Sequence, residues 1–258
     1  MTAPVHILAH CRNPKLLGAT LLVFRTLRVG FPSAKVMVWG NALPMDARHP
    51  VEAACHMAGA GFMAIPSTTH DAWIESLIMR GASPFWVCDT DIAFWDSMQH
   101  LCHFDDTVTV AGRYEPAYSE EWSGTTKPAR LHASLLYINP SATRQAIRAW
   151  MCRIPMPWRG TAEFPLIRQA FIPQSDGSIR FYDTCAGLFA AIGGTPFTEV
   201  QNCAFDHLQC GTYSDLVSPH LSCDNLEQRH RAIFADITLA KGIRGEQEAY
   251  LAQRKIKD

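Results

Sequence analysis

The sequence predicts an α/β fold: a single Rossmann-type domain with a mainly parallel central sheet flanked by helices. Three observations carry this. The apolar run Phe85-Trp86-Val87-Cys88 is short and unbroken, and it stops at two carboxylates, Asp89 and Asp91. Such a run is the signature of a strand buried on both faces of a parallel sheet. The chain also opens as strand, short loop and helix, the first half of a nucleotide-binding α/β unit. Finally, 258 residues of which 48% are apolar supply the core of one large α/β domain, with room for a small appendage.

Composition excludes several classes. A net charge of −1 gives no reason to expect nucleic acid or an anionic membrane as a general partner. No apolar run approaches the roughly 18 residues of a membrane span. The first residues lack the basic start and apolar core of a secretory signal. Nine cysteines, an odd number, then read as reduced thiols in a cytoplasmic protein. There is no internal repeat and no low-complexity segment.

Taken in order, residues 5–10 form the first strand. Asn13 caps a helix with Pro14 in its first turn, Leu17, Leu21 and Phe24 line one face, and Gly30 ends it. This opening lacks both the Gly-rich dinucleotide fingerprint and the Gly-Lys-Ser/Thr of a P-loop. Residues 35–39 are the second strand, closed by Gly40-Asn41. A short helix covers 51–58 after Pro50, and 62–65 is a third strand. Thr68 or Thr69 caps a helix over 70–80 with Ile74, Leu77 and Ile78 on one face and Gly81 as its stop. The hydroxyl-rich loop before it is a place where a helix N-terminus holds an anion. After strand 85–88 come a helical turn at 96–101 and a strand at 107–111. Residues 113–126 form a long polar loop with Tyr114, Tyr118 and Trp122, a candidate lid or acceptor wall. A strand from Arg130 ends at Asn139-Pro140, and a helix follows over 141–151. Asp183 or Thr184 caps a helix that Gly193 ends, and the tail from 226 on is helical with a basic end.

Ligands of open α/β sheets collect beyond the carboxyl ends of strands, where Asp89 and Asp91 sit. If the strand continues, residues i and i+2 share a face and both carboxylates reach one divalent cation. A hard cation, Mg²⁺ or Mn²⁺, is held by one or two carboxylates plus substrate phosphates.

This motif, behind a helix and at the end of a strand, resembles the Asp-x-Asp of GT-A-type glycosyltransferases. Two further stretches follow in the family's order. Asp183-Thr184-Cys185 resembles its Asp-Thr-Gly in part. His207-Leu208-Gln209-Cys210-Gly211-Thr212-Tyr213-Ser214 resembles its C-terminal His segment. The resemblance spans about residues 5–214. It implies a GT-A-like catalytic domain over 1–225, with a donor half to about 112 and an acceptor half beyond it, and a helical tail over 226–258. It implies that Asp89, Asp91 and His207 hold Mn²⁺ or Mg²⁺. Arg12, His70, Asp89, His132, Ser134, Gly211 and Ser214 would then contact a nucleotide-diphosphate sugar, a UDP-sugar first. Asp183 would be the base if the reaction inverts; retaining chemistry stays open.

The expected function is transfer of a sugar to an acceptor hydroxyl, a saccharide by default or a hydroxymethylated DNA base. Two other readings stand beside it. One is a nucleotide-sugar binder without catalysis. The other is a zinc-stapled interaction or nucleic-acid-binding protein using Cys203, His207 and Cys210, with His220 and Cys223 nearby in sequence.

Overall fold

The computed structural model describes residues 2–10, 21–120, 125–153 and 166–207. Its architecture is α/β, with a mainly parallel central sheet flanked by helices. Two compact units interleave along the chain. The first holds the described residues up to Ser67, Cys88–His103 and 198–207; the second holds Thr68–Val87 and Phe104–Phe197.

In the first unit, β1 (Val5–Ala9), β2 (Val36–Asn41) and β3 (Gly61–Ile65) run parallel, with Val5 opposite Val36 and Met37 opposite Gly61. Pairing of Asn41 with Ile65 carries β2 through Gly40 and Asn41, which the sequence had placed outside it. Helix α1 (Leu22–Gly30) buries Val23 and Leu27, and Phe31 after them, whereas Leu21 and Phe24 are only half-buried. That corrects the expected stripe, and the packing explains it. The Thr26 hydroxyl accepts from the Phe94 amide at 2.8 Å, and a Cβ on Gly30 would stand 2.4 Å from the Phe94 ring. Thr26 and Gly30 therefore face strand β5 (Ile92–Phe94) and set the helix's rotation. Asn13, Pro14 and Leu17 lie outside the described residues.

Helix α2 (Met45–Met57) starts six residues before the expected Val51, with Pro50 inside it. Proline there forfeits one backbone bond. The burial of Ala47, Val51, Ala54 and Cys55 on one face, and an Arg48–Glu52 pair at 2.8 Å, favour the longer helix. Arg28 joins the ends of α1 and α2 by donating to the carbonyls of Ala58, Gly59, Phe31 and Ala34. Helix α4 (Met98–Leu101) and helix α7 (Glu199–Cys203) complete this unit with β13 (Phe205–His207). A capping box between Thr198 and Gln201 opens α7.

In the second unit, α3 (His70–Arg80) has the bounds read from the sequence. The Thr69 side chain accepts from the Ala72 amide, and Trp73, Ile74 and Ile78 are buried. The Asp71 carboxylate accepts from the same amide, so the N–H an anion would use is already engaged. Strand β4 (Phe85–Cys88) also matches, and all four residues are buried. The strand order in this unit is β12 (Thr195–Pro196), β6 (Val110–Glu115), β9 (Arg130–Ile138), β4. Helix α5 (Pro140–Arg153) follows β9, as expected, with the Asn139 side chain accepting from the Ala142 amide at 3.2 Å. Arg144 on α5 donates to the Ile78 and Gly81 carbonyls and so closes the end of α3.

Of the expected loop over 113–126, the described residues are largely strand. Strand β6 runs on to Glu115, and β7 (Tyr118–Glu120) pairs antiparallel with β8 (Thr125–Lys127). These strands join β10 (Ala170–Pro173) and β11 (Ile179–Tyr182) in a separate four-stranded sheet. Pairing of Tyr118 with Lys127, whose ammonium lies 5.1 Å from the tyrosine ring, supplies the order that the polar composition hid. Tyr114 and Tyr118 are exposed, and Trp122 lies outside the described residues.

Helix α6 (Ala186–Ile192) ends at Gly193 but is not capped by Asp183 or Thr184. Its N-cap is Cys185, left-handed at φ 63° and ψ 1°.

Candidate metal centre

The two carboxylates come together through a turn. Strand β4 stops at Cys88, and Thr90 and Asp91 turn the chain into β5, so the strand does not continue as the i, i+2 argument required. The Thr90 carbonyl accepts from the Val23 amide at 2.8 Å, which ties the turn to the start of α1. Burial, then the charges of Asp89 and Asp91, push the Cys88 thiol well above its usual pKa. Its Sγ donates to the Asp89 carbonyl at 3.2 Å.

His207 arrives from far along the sequence on β13. That strand pairs antiparallel with β5, with His207 opposite Ile92, Asp206 opposite Ala93 and Phe205 opposite Phe94. His207 Nε2 consequently lies 3.2 Å from Asp91 Oδ1 and 3.9 Å from Asp89 Oδ2. One donor atom from each of the three residues falls within 4.8 Å of the others. The imidazole is the most enclosed, at 8% side-chain exposure, and the carboxylates are more open, at 18% and 29%. Two carboxylates and one imidazole, half-open to further ligands, are a donor set that fits Mn²⁺ or Mg²⁺. Cys203 is not part of this group, and Cys210, His220 and Cys223 lie outside the described residues.

A polar network in the second unit collects three other expected residues. Arg130 is 6% exposed and sits directly opposite Glu115 across β6 and β9. Its Nε and Nη2 donate to Glu115 Oε2 at 2.9 and 2.8 Å, and its Nη1 donates to Asp183. Burial works against the Arg130 charge, but Asp183 and Glu115 outweigh it and hold the guanidinium pKa above its ordinary value. The other Asp183 oxygen accepts from Gln169 Nε2 and from the Thr184 amide, both at 2.8 Å. His132 and Ser134, two apart on β9, share one face. His132 Nδ1 lies 2.9 Å from the Ser134 hydroxyl and accepts the Ser134 amide at 3.2 Å. Its Nε2 lies 3.6 Å from Glu115 Oε1. Asp183, His132 and Ser134 therefore belong to one network.

Sequence reasoning missed Glu115, Arg130 and Gln169. A charged residue opening the mainly apolar strand 131–138 was the available signal for Arg130; Glu115 shows only once the register is known. His70 opens α3 with its ring stacked on Trp73, centroids 5.9 Å apart. Arg12, Gly211 and Ser214 lie outside the described residues.

No family model and no curated protein matches the chain. Solved structures similar to it are glycosyltransferases. The bifunctional glycosyltransferase WbbM, in its apo form, is 8% identical over 77% of this chain, with a TM-score of 0.47. An active-site mutant of LgtC is 10% identical over 90% of this chain and 95% of its own length, with a TM-score of 0.45. GlyE of Streptococcus pneumoniae TIGR4 is 11% identical over 91% of this chain and 52% of its own, with a TM-score of 0.44. The chain spans only 39% of the length of WbbM. With TM-scores below 0.5 these are likenesses alone, and the functional reading stands on the residues. Among the described residues, no helix is long and apolar enough to cross a membrane.

Proposed function

We propose that the chain is a metal-dependent glycosyltransferase that moves a sugar from a nucleotide-diphosphate sugar, a UDP-sugar first, to an acceptor hydroxyl. The observation that carries this is the convergence of Asp89, Asp91 and His207 at a turn beyond β4. Their oxygen and imidazole donors would hold Mn²⁺ or Mg²⁺. When bound, that cation supplies neutralisation of charge on a diphosphate leaving group. The protein's own part is to fix the three donors: Asp89 and Asp91 through the turn tied to Val23, and His207 through the β5–β13 pairing. Asp183, held by Arg130, Gln169 and the Thr184 amide, is the group we assign to take the acceptor's proton in an inverting reaction. His132 and Ser134 are assigned to the sugar, and Arg12, His70, Gly211 and Ser214 to the rest of the donor. A saccharide is the default acceptor and a hydroxymethylated DNA base the second. We assign the protein to a reducing cytoplasm on the odd number of cysteines, nine, in its sequence.

The test is a thermal-shift screen of nucleotides and nucleotide sugars with and without Mn²⁺, since a ligand of the native state raises its stability by mass action. The expected result is stabilisation by one nucleoside diphosphate family that requires the cation. Stabilisation by no nucleotide under either condition overturns the proposal. Transfer to an acceptor by the purified protein then separates an enzyme from a binder.

A further inference from the structure

The placement of His207 rests on a very short ribbon. Strands β5 and β13 have three residues each, and two-stranded pairs of this size have little stability of their own. A slip of one residue would turn His207 to the opposite face. Backbone bonds from the Trp95 and Asp96 amides to the Ala204 carbonyl extend the ladder, and two side-chain contacts bear on its register. The apolar one is the Phe94 ring, 6.4 Å from Phe205 and 5.3 Å from Phe31. The polar one is a bond from Trp95 Nε1 to Asp206 Oδ2 at 2.6 Å, with Asp206 wholly buried. Successive side chains of a strand point to opposite faces, so this bond grips β13 from the face away from His207.

We infer that Trp95 and Asp206 are positioning residues for the candidate metal centre: their bond locks the β5–β13 register that presents His207 to Asp91. The inference rests on the metal reading above and names residues that reading does not use. Neither side chain belongs to the group that would hold the cation. Their effect is on the aim of one ligand, and partners of this kind typically cost 10- to 100-fold in metal affinity when lost.

The experiment compares the wild-type chain with Trp95→Phe and with the double variant Trp95→Phe/Asp206→Leu. It measures melting temperature, Mn²⁺ affinity by calorimetry, and hydrogen exchange of the amides at 205–207. Trp95→Phe is expected to lower Mn²⁺ affinity by about 10-fold or more and to speed exchange at 205–207. The double variant replaces both polar partners with apolar groups and should regain melting temperature, because no buried acceptor is left without its indole donor. Mn²⁺ affinity should nevertheless stay low. If affinity returns together with melting temperature, or if folded Trp95→Phe binds Mn²⁺ as the wild type does, the bond is structural only and the inference falls. If the double variant does not fold, Trp95→Phe decides alone. If wild-type protein binds no Mn²⁺, the metal reading fails instead; exchange at 205–207 still tests the register lock, and unchanged exchange in Trp95→Phe overturns it.

Discussion

His207 Nε2 stands 3.2 Å from Asp91 Oδ1, although the two residues come from distant parts of the chain. Asp89 is farther from the same nitrogen, at 3.9 Å, and more open to solvent. This asymmetry orders the expected effects of substitution. Asp91→Ala should weaken Mn²⁺-dependent binding of a nucleoside diphosphate by more than about 100-fold, beyond the loss typical of a ligand's supporting partner. Asp89→Ala should weaken it less. Both side chains lie in a turn outside the apolar core, so melting temperature should hardly change. Calorimetric titration checks this, and equal Mn²⁺-dependent affinity in wild type and folded Asp91→Ala would remove the metal assignment.

Asp183→Asn separates a base from a structural partner. The amide keeps an oxygen for Gln169 and the Thr184 N–H but loses the charge that pairs with Arg130. If Asp183 takes the acceptor's proton, transfer should drop by about 100-fold or more, with donor affinity little changed. Arg130 sets a demand here. Its Nη1 donates to one carboxylate oxygen, so a proton taken up at that oxygen has to displace this contact. Activity near wild type would leave Asp183 as the anchor of Arg130 and nothing more.

The parts of the fold visible in the sequence were those set by local chemistry. The run 85–88 and helix α3 came out with their observed bounds, because an unbroken apolar tetrapeptide and a Thr-capped, Gly-ended helix declare themselves locally. The β7–β8 pairing did not, because cross-strand pairing of Tyr118 and Lys127 has no signature in one strand's composition. Helix α2 was shortened at Pro50 because the local penalty was visible and the offsetting burial of Ala47 and Val51 was not. At the candidate metal centre the residue types pointed to Asp89 and Asp91, through an i, i+2 geometry that the turn at Thr90 replaces, and His207 came from the resemblance alone. Arg130 and Glu115 were missed because their significance lies entirely in register.

Asp71 gives a pH dependence with a definite sign. Burial raises its pKa, but the Thr69 hydroxyl and the Gln169 and Ala72 amides outweigh that and hold it below the ordinary carboxylate value. A carboxylate depressed in the folded state contributes stability that is fully present above its unfolded pKa, about 3.9. That contribution is lost as pH falls through the lower folded value. Asp71→Asn should therefore melt below wild type at neutral pH, and the gap should close as pH falls below about 4. Melting curves from pH 7 to pH 3 check it. A gap that is constant with pH would mean that the Asp71 charge is not what holds α3 and Gln169 together.

Cys185 carries backbone strain that its neighbours in sequence foretell. At φ 63° it occupies the left-handed region, where an L-residue costs roughly 1–2 kcal/mol. This is the third position of the Asp-Thr-Gly pattern that the sequence only partly matches, and a glycine there has no such cost. Cys185→Gly relieves the strain but removes a side chain that is 3% exposed. The two effects should nearly cancel, leaving a net change within about 1 kcal/mol. Cys185→Val keeps the bulk and worsens the strain, because β-branched residues tolerate positive φ least. It should be the less stable of the two in denaturant unfolding. A Val variant as stable as the Gly variant would show that the backbone relaxes without cost.

The last prediction decides between a hard-cation centre and a zinc staple at His207. In the first case His207 acts with Asp91 and Asp89, whose oxygen donors suit Mn²⁺ or Mg²⁺. His207→Ala should then weaken Mn²⁺-dependent nucleotide binding, and a nucleoside diphosphate should in turn raise Mn²⁺ affinity, because each ligand completes part of the other's surroundings. Cys203→Ser and Cys210→Ser should matter little, since thiolates are poor partners for hard cations. Cys203 stands at the end of α7. In the second case zinc contributes folding energy directly, and either cysteine substitution should destabilise the protein as much as His207→Ala. Melting temperature and bound zinc are measured on all three variants. Retained stability in both cysteine variants, with loss of Mn²⁺ binding only in His207→Ala, is the expected result. Loss of zinc and stability together in all three would reassign His207 and take the glycosyltransferase proposal with it.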